Sequence, residues 1–360
     1  MFQPAGGQPM PGLGTLPVEW LDAPVLASAL RRAVALDAEG ALRYGEPAGQ
    51  PRLCNVLATR LAEHGIRAAP TQIVTSVGAT HALDIVTRTL LRAGDPVLVD
   101  EPGWAVEYAR LEASGLRVLP VPRGSDGPEL GVMAALLAEH RPRLYITVSV
   151  LHNPTGACLS LASAHKLLQL AEAHDLQIVE DDTYAHLAPA HLPRLAALDG
   201  LERTIYVSGF SKILAPNWRV GFLAAPLALV ERLIDTKLLS TLTTPGPTEL
   251  ALALCLEQGL LRRHAERVVQ KLDAARARSV KHAQAAGCRF AAAPRGLFGW
   301  VETGVDTERL ARAMIDDGWL LAPGALFHAS HRPSTLMRIN FATTQEPRFW
   351  RALERARERL

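Results

Sequence analysis

Lys212 comes shortly after the apolar run Thr204-Ile205-Tyr206-Val207, a place where an amine is seldom found. Asp181 closes a comparable run, Leu176 to Val179, and Asn153 follows Leu144 to Val150. From 153 to 181 is 28 residues and from 181 to 212 is 31, about one strand-helix-strand step each. Parallel strands connected this way deliver their following residues to one edge of a sheet. An amine there can join a carbonyl, a carboxylate can hold a protonated ring nitrogen, and an amide can bind a ring oxygen. Those are the requirements of a pyridoxal phosphate site.

Other residues extend the pattern. Tyr184 follows Asp181 in an Asp-x-x-Tyr unit, where its phenol could set the proton affinity of an imine. Gly78-Ala79-Thr80 lies between a strand and a helix, so its amides and the helix N-terminus suit an anion. Arg219 could neutralise a phosphate by bidentate contact, with Ser208 and Ser211 as further donors. Trp104, in Glu101-Pro102-Gly103-Trp104, offers a flat ring for stacking. Arg338 shares one face of an alternating strand with Leu336 and Asn340, and its planar guanidinium suits a substrate carboxylate.

Each has a plainer reading when taken alone. Asn153-Pro154-Thr155-Gly156 and Gly78 are also turn formers. Asp181 could cap a helix, Tyr184 and Trp104 could be core, and Lys212 and Arg219 could be surface charges. Arg338 could be a solvated charge on an edge strand. The order and spacing of Asn153, Asp181 and Lys212 set the functional reading apart.

These groups require a scaffold. Residues 1–17, rich in Pro and Gly, read as an extended arm. Ala23 to Leu36 and Arg52 to Glu63 have helical periodicity. Short apolar runs then recur at Gln72–Thr75, Val97–Val99, Arg117–Val121, Leu144–Val148, Gln177–Val179, Thr204–Val207 and Val220–Leu223. Helical patterns separate most of them, which predicts a mostly parallel sheet covered on both faces. The last runs lack full helices between them, so one strand is expected to run antiparallel. Beyond Pro226 come helices at 227–242, 248–258 and 260–286, then strands at 297–302 and 336–341 and helices at 307–317 and 347–357. That pattern predicts a smaller α+β lobe. The expected division is an arm (1–20), an N-terminal part of the small domain (21–45), a large cofactor-binding domain (46–260) and a C-terminal small domain (261–360).

Composition narrows the function further. A chain of 360 residues with 48% hydrophobic content has ample core for two lobes. Net charge is +2 with no long basic run, so neither a nucleic-acid groove nor a membrane patch is indicated. No apolar stretch is long enough to span a bilayer, and no signal peptide is read, so a cytoplasmic location is expected. Cys54, Cys158, Cys255 and Cys288 form no CxxC pair, and the histidines lack ligand spacing, so no metal is expected.

The chain resembles the fold type I pyridoxal-phosphate enzymes, specifically the class I/II aminotransferases. The resemblance rests on Tyr44-Gly45-Glu46-Pro47-Ala48-Gly49, Asn153-Pro154-Thr155-Gly156, Asp181-Asp182-Thr183-Tyr184, Ser211-Lys212 with Arg219 and Gly221, and Arg338-Ile339-Asn340-Phe341. The stretch from Ser208 to Pro216 is most similar to the aminotransferase-like module of MocR-type regulators and their stand-alone relatives. The resemblance implies an α/β fold with a mostly parallel seven-stranded sheet in a large domain plus a smaller α+β domain. It implies a Schiff-base lysine at Lys212, Asp181 on the pyridine nitrogen, Asn153 and Tyr184 on the ring oxygen, and Trp104 on the ring face. Gly78, Ala79, Thr80, Ser208, Ser211 and Arg219 would hold the phosphate, and Tyr44 would reach the phosphate of a neighbouring subunit in a homodimer. Gly209 stands three positions before Lys212, where many relatives carry Ser or Thr.

On this reading the substrates are an L-amino acid and a 2-oxo acid, held by Arg338, Asn153 and Gly7 of the arm. No second arginine is placed for a dicarboxylate, which favours a neutral or apolar side chain. The alternatives are a pyridoxal-phosphate lyase or decarboxylase, or an effector-sensing module of a transcriptional regulator. The chain is expected to be a stand-alone enzyme or an excised module. A nicotinamide dehydrogenase is disfavoured, because no GxGxxG follows the first strand.

Overall fold

The computed structural model describes residues 10–360. Seven apolar segments become the strands β1 (Ile73–Ser76), β2 (Pro96–Glu101), β3 (Arg117–Pro122), β4 (Leu144–Thr147), β5 (Gln177–Asp181), β6 (Thr204–Gly209) and β7 (Gly221–Ala224). They form one sheet in the order β1-β7-β6-β5-β4-β2-β3. β7 is antiparallel to both neighbours, as the missing crossover helix requires, and the pairs from β6 to β3 are parallel. β1, β4 and β6 are buried at every position, because helices cover both faces.

The N-terminal helices are α1 (Ala23–Leu36) and α2 (Pro51–Glu63). The covering helices are α3 (Ala79–Leu90), α4 (Ala105–Ala113), α5 (Leu130–His140), α6 (Leu161–Ala173) and α7 (Leu195–Asp199), followed by α8 (Leu227–Thr241). α9 (Gly246–Glu257) is apolar around its circumference and is enclosed; its Leu250, Ala251, Leu254 and Cys255 meet Ala29 and Ala33 of α1. α10 (Leu260–Ala285) leads to a second, four-stranded antiparallel sheet.

That sheet comprises β8 (Arg289–Phe290), β9 (Phe298–Glu302), β10 (Ala322–Pro323) and β11 (Leu336–Asn340), in the order β10-β11-β9-β8. α11 (Thr307–Ile315) and α12 (Pro347–Glu358) accompany it. β11 lies between β10 and β9, so Arg338 is interior to this sheet, opposite Trp300 and Ala322, rather than on a solvated edge. No helix among the described residues is long and apolar enough to cross a membrane.

Candidate active site

The sheet edge collects the expected groups. β4 leads into Asn153, β5 ends on Asp181, and Lys212 follows the end of β6. The antiparallel course of β7 starts its strand at the same edge, pairing Gly221 with Gly209 and with Ser76. Arg219, just before Gly221, is thereby brought beside Gly78.

The backbone approaches itself closely there. Gly78 adopts φ +78°, a left-handed value that glycine tolerates. A side-chain carbon on Gly78 would lie 2.7 Å from Nη2 of Arg219, and one on Gly221 would lie 2.5 Å from the Gly78 carbonyl carbon. Gly78 also caps α3 without any side-chain partner, leaving the first amides of a twelve-residue helix facing this cradle. Arg219 donates to Ser211 Oγ at 3.3 Å and to the Val77 carbonyl at 2.9 Å. Amides, a hydroxyl and a guanidinium therefore converge, and this donor set fits a phosphate group. Ser208 does not join it, because its buried hydroxyl donates to the Asp182 carbonyl at 2.9 Å.

Lys212 Nζ donates to the carbonyl of Gly14 at 2.8 Å. Burial and the nearby Arg338 guanidinium lower its pKa to about 8, against the opposing pull of Asp181. Burial conversely raises Asp181 to about 6, although Thr183 donates to its Oδ1 through both amide and hydroxyl. A carboxylate that lacks a cation and an amine that is readily unprotonated share one cleft. A protonated pyridine ring bearing an aldehyde would complement both. The residues present thus fit pyridoxal phosphate.

Asn153 is buried, and its Oδ1 accepts from Nη1 of Arg338 at 2.9 Å. Arg338 is 8% exposed and lies between the rings of Phe298 (4.4 Å to the ring centre) and Phe327 (5.1 Å). Its Nη2 donates to the Gly12 carbonyl, and its buried Nε has no partner among the described residues. Burial lowers its pKa to about 10. An unsatisfied donor on a buried cation is the condition a substrate carboxylate relieves.

Tyr184 is buried, meets Phe298 edge-on with 5.4 Å between ring centres, and has its phenol pKa pushed up by burial. Trp104 caps α4 and is half-buried, beside Gly103, whose amide bonds the Phe327 carbonyl at 2.9 Å. Tyr44 is 82% exposed. Gly7 lies outside the described residues.

Two groups of residues escaped sequence reasoning. The first is the segment at 10–15. Asn340 donates its side-chain amide to the carbonyls of Leu13 (2.9 Å) and Thr15 (2.7 Å), and its backbone amide bonds Pro11. Gly12 and Gly14 therefore face Arg338 and Lys212. The Pro/Gly composition signalled an arm, but not which residues of it dock.

The second group surrounds Lys237 on α8, which is fully buried. Its Nζ bonds Thr75 Oγ1 (3.2 Å) and Thr244 Oγ1 (3.4 Å). Thr75 also bonds Ala48, Thr243 Oγ1 accepts from the Gly45 amide, and Glu249 accepts from the Gln50 amide. The network ties down the loop that begins with Tyr44.

Comparison with known proteins agrees with this geometry. The family model described as "Aminotransferase class I and II" matches residues 14–355. A 2-aminoadipate transaminase from Thermus thermophilus is 30% identical over 348 residues, covering 94% of this chain and 85% of that protein. The HTH-type transcriptional regulator TauR of Rhodobacter capsulatus is 32% identical over 279 residues, covering 74% of this chain and 55% of the regulator. The crystal structure of LysN, an alpha-aminoadipate aminotransferase from Thermus thermophilus complexed with N-(5'-phosphopyridoxyl)-L-leucine, superposes with a TM-score of 0.90 at 27% identity. It covers 98% of this chain and 92% of that one.

Proposed function

The chain belongs to the class I and II aminotransferases, and on that premise we propose how its residues divide the work of transamination. The protein is a pyridoxal-5'-phosphate-dependent aminotransferase, acting between an amino acid and a 2-oxo acid. When bound, the cofactor supplies an aldehyde for the substrate amine and a ring that withdraws electrons from the α-carbon.

Lys212 anchors the cofactor through Nζ and then moves the α-proton. Its lowered proton affinity supports this role, since a base works best with a pKa near ambient pH. Asp181 holds the ring nitrogen in its protonated form, and Asn153 and Tyr184 bind the ring oxygen. Ala79, Thr80, Ser211 and Arg219 hold the phosphate, and Trp104 covers the ring face. Arg338 takes the substrate carboxylate with its fork of donors, positioned by Asn153. The observation that carries the reading is that Lys212 and Arg338 meet on one segment, donating to the carbonyls of Gly14 and Gly12, while Asn153 joins Arg338.

The working unit is a homodimer in which Tyr44 serves the neighbouring site. Supporting this, Leu42 (87%), Tyr44 (82%) and Leu239 (91%) are exposed large side chains on adjoining segments, with Gly45 tied to Thr243. A second copy is the natural cover for such a surface. The four cysteines are all free, which fits a reducing cytoplasm.

The test is to add an amino acid to the cofactor-loaded protein and assay for pyridoxamine phosphate and the 2-oxo acid. Both products are expected from the native protein and neither from Lys212→Ala. Carbon dioxide or an eliminated group in place of the 2-oxo acid would assign a decarboxylase or lyase instead.

A further inference from the structure

We propose that this site takes amino acids with neutral, apolar side chains, and that Phe298 sets the preference. The inference rests on the transaminase reading above and names its substrate class.

Phe298 stands between the two groups that grip a substrate. Its ring covers the Arg338 guanidinium at 4.4 Å and meets Tyr184 edge-on at 5.4 Å. A side-chain carbon built on Gly14 would lie 3.2 Å from Phe298 Cζ and 3.5 Å from Lys212 Nζ, so ring, glycine and amine adjoin. Phe327 closes the other side of Arg338 and meets Trp300 edge-on at 5.3 Å. A substrate with its carboxylate on Arg338 and its amine at Lys212 therefore presents its remaining substituent to aromatic walls.

A second carboxylate would need a second cation. The cations acting on Lys212 are Arg338, already the anchor, and Arg219, already bound to Ser211 and Val77. Residues 1–30 contain neither lysine nor arginine. Arg43, which would accompany Tyr44 to the neighbouring site, already has Glu39 as its partner at 2.8 Å. Arg295, whose backbone bridges to Phe298, has an exposed side chain. An acidic side chain would thus lose its water without gaining a partner, which is strongly unfavourable.

The experiment has two arms on the cofactor-loaded protein. In the first, leucine, phenylalanine, glutamate and 2-aminoadipate are compared by the rate of pyridoxamine phosphate formation. The neutral pair is expected to react on the order of 100-fold faster. In the second, calorimetry measures binding of two unreactive acids, 4-methylpentanoate and glutarate. Binding by the first and at least roughly 10-fold weaker binding by the second is expected. Phe298→Leu should narrow both ratios by raising KM for the neutral substrates more than it lowers kcat. Equal rates for glutamate and leucine, or equal binding of glutarate, would overturn the proposal. If no amino acid reacts at all, the transaminase reading fails, and the calorimetric ratio still decides the character of the pocket.

Discussion

Nη1 of Arg338 donates to Oδ1 of Asn153 at 2.9 Å, across 185 residues of chain. The bond joins the interior strand of the small sheet to the carboxyl edge of the large one. Lys carries the same charge as Arg but cannot reach Asn153 and a carboxylate with one planar fork. Arg338→Lys should therefore raise KM for the amino acid about 100-fold while cofactor binding is retained. Steady-state kinetics alongside the cofactor absorbance would show it; an unchanged KM would mean that the carboxylate binds elsewhere.

The amine of Lys212 predicts a pH profile. Burial and Arg338 disfavour its charged form, so the neutral amine becomes dominant as pH rises through about 8, rather than through the ordinary lysine value of 10.5. The rate at which cofactor-free protein captures pyridoxal phosphate should climb with pH and level off above about 8. A rate still climbing towards the ordinary lysine range would remove the argument for a tuned amine. Borohydride reduction followed by mass spectrometry should find the cofactor fixed on Lys212, and no fixed cofactor in Lys212→Ala.

Gly14 has little room for a side chain. Gly14→Ala would set a methyl group 3.2 Å from Phe298 Cζ and 3.5 Å from Lys212 Nζ. The ring has to shift, so KM should rise about 10-fold with little change in melting temperature, because the backbone there is only partly buried. Gly12→Ala would instead drive a methyl into the Leu321 backbone at 2.5 Å and should undock the segment, with a larger loss. Equal kinetics for Gly14→Ala and the native protein would show that the segment stands clear of the substrate.

Lys237 affects stability through its proton. Its folded-state pKa is lowered to about 8 from 10.5, chiefly by burial. The unfolded chain therefore holds a proton that the folded one has released between those values, so this lysine adds stability as pH rises from 8 to 10.5. Lys237→Met deletes that gain. The stability difference between native protein and variant should grow by roughly 3 kcal/mol over the interval. Urea unfolding at the two ends of the range measures it, and a difference that stays flat would show that the amine is solvated.

Much of this arrangement is legible in the sequence because it is local. Ala23–Leu36 forms a helix with the expected limits, and each apolar run became a strand. Asn153, Asp181 and Lys212 could be placed because strand polarity repeats. What depends on partners distant in sequence was hidden. The strands Arg289–Phe290 and Ala322–Pro323 are too short to leave a period. Arg338 looked equally suited to an edge until β9 and β10 were seen on either side of β11. Lys237 reads as an ordinary helix-surface lysine, and only Thr75, Thr244 and Glu249 reveal it as buried. Ser208 looked available for the phosphate, but strand register turned its hydroxyl to Asp182.

The docking of Met10–Thr15 has a practical consequence for handling the protein. The carbonyl oxygens that occupy Lys212 and Arg338 come from this stretch of backbone. A truncation or substitution within this stretch would remove contacts of the reactive amine and of the guanidinium. A purification handle therefore belongs after Leu360, beyond α12, where the terminal residues are exposed and make none of these contacts.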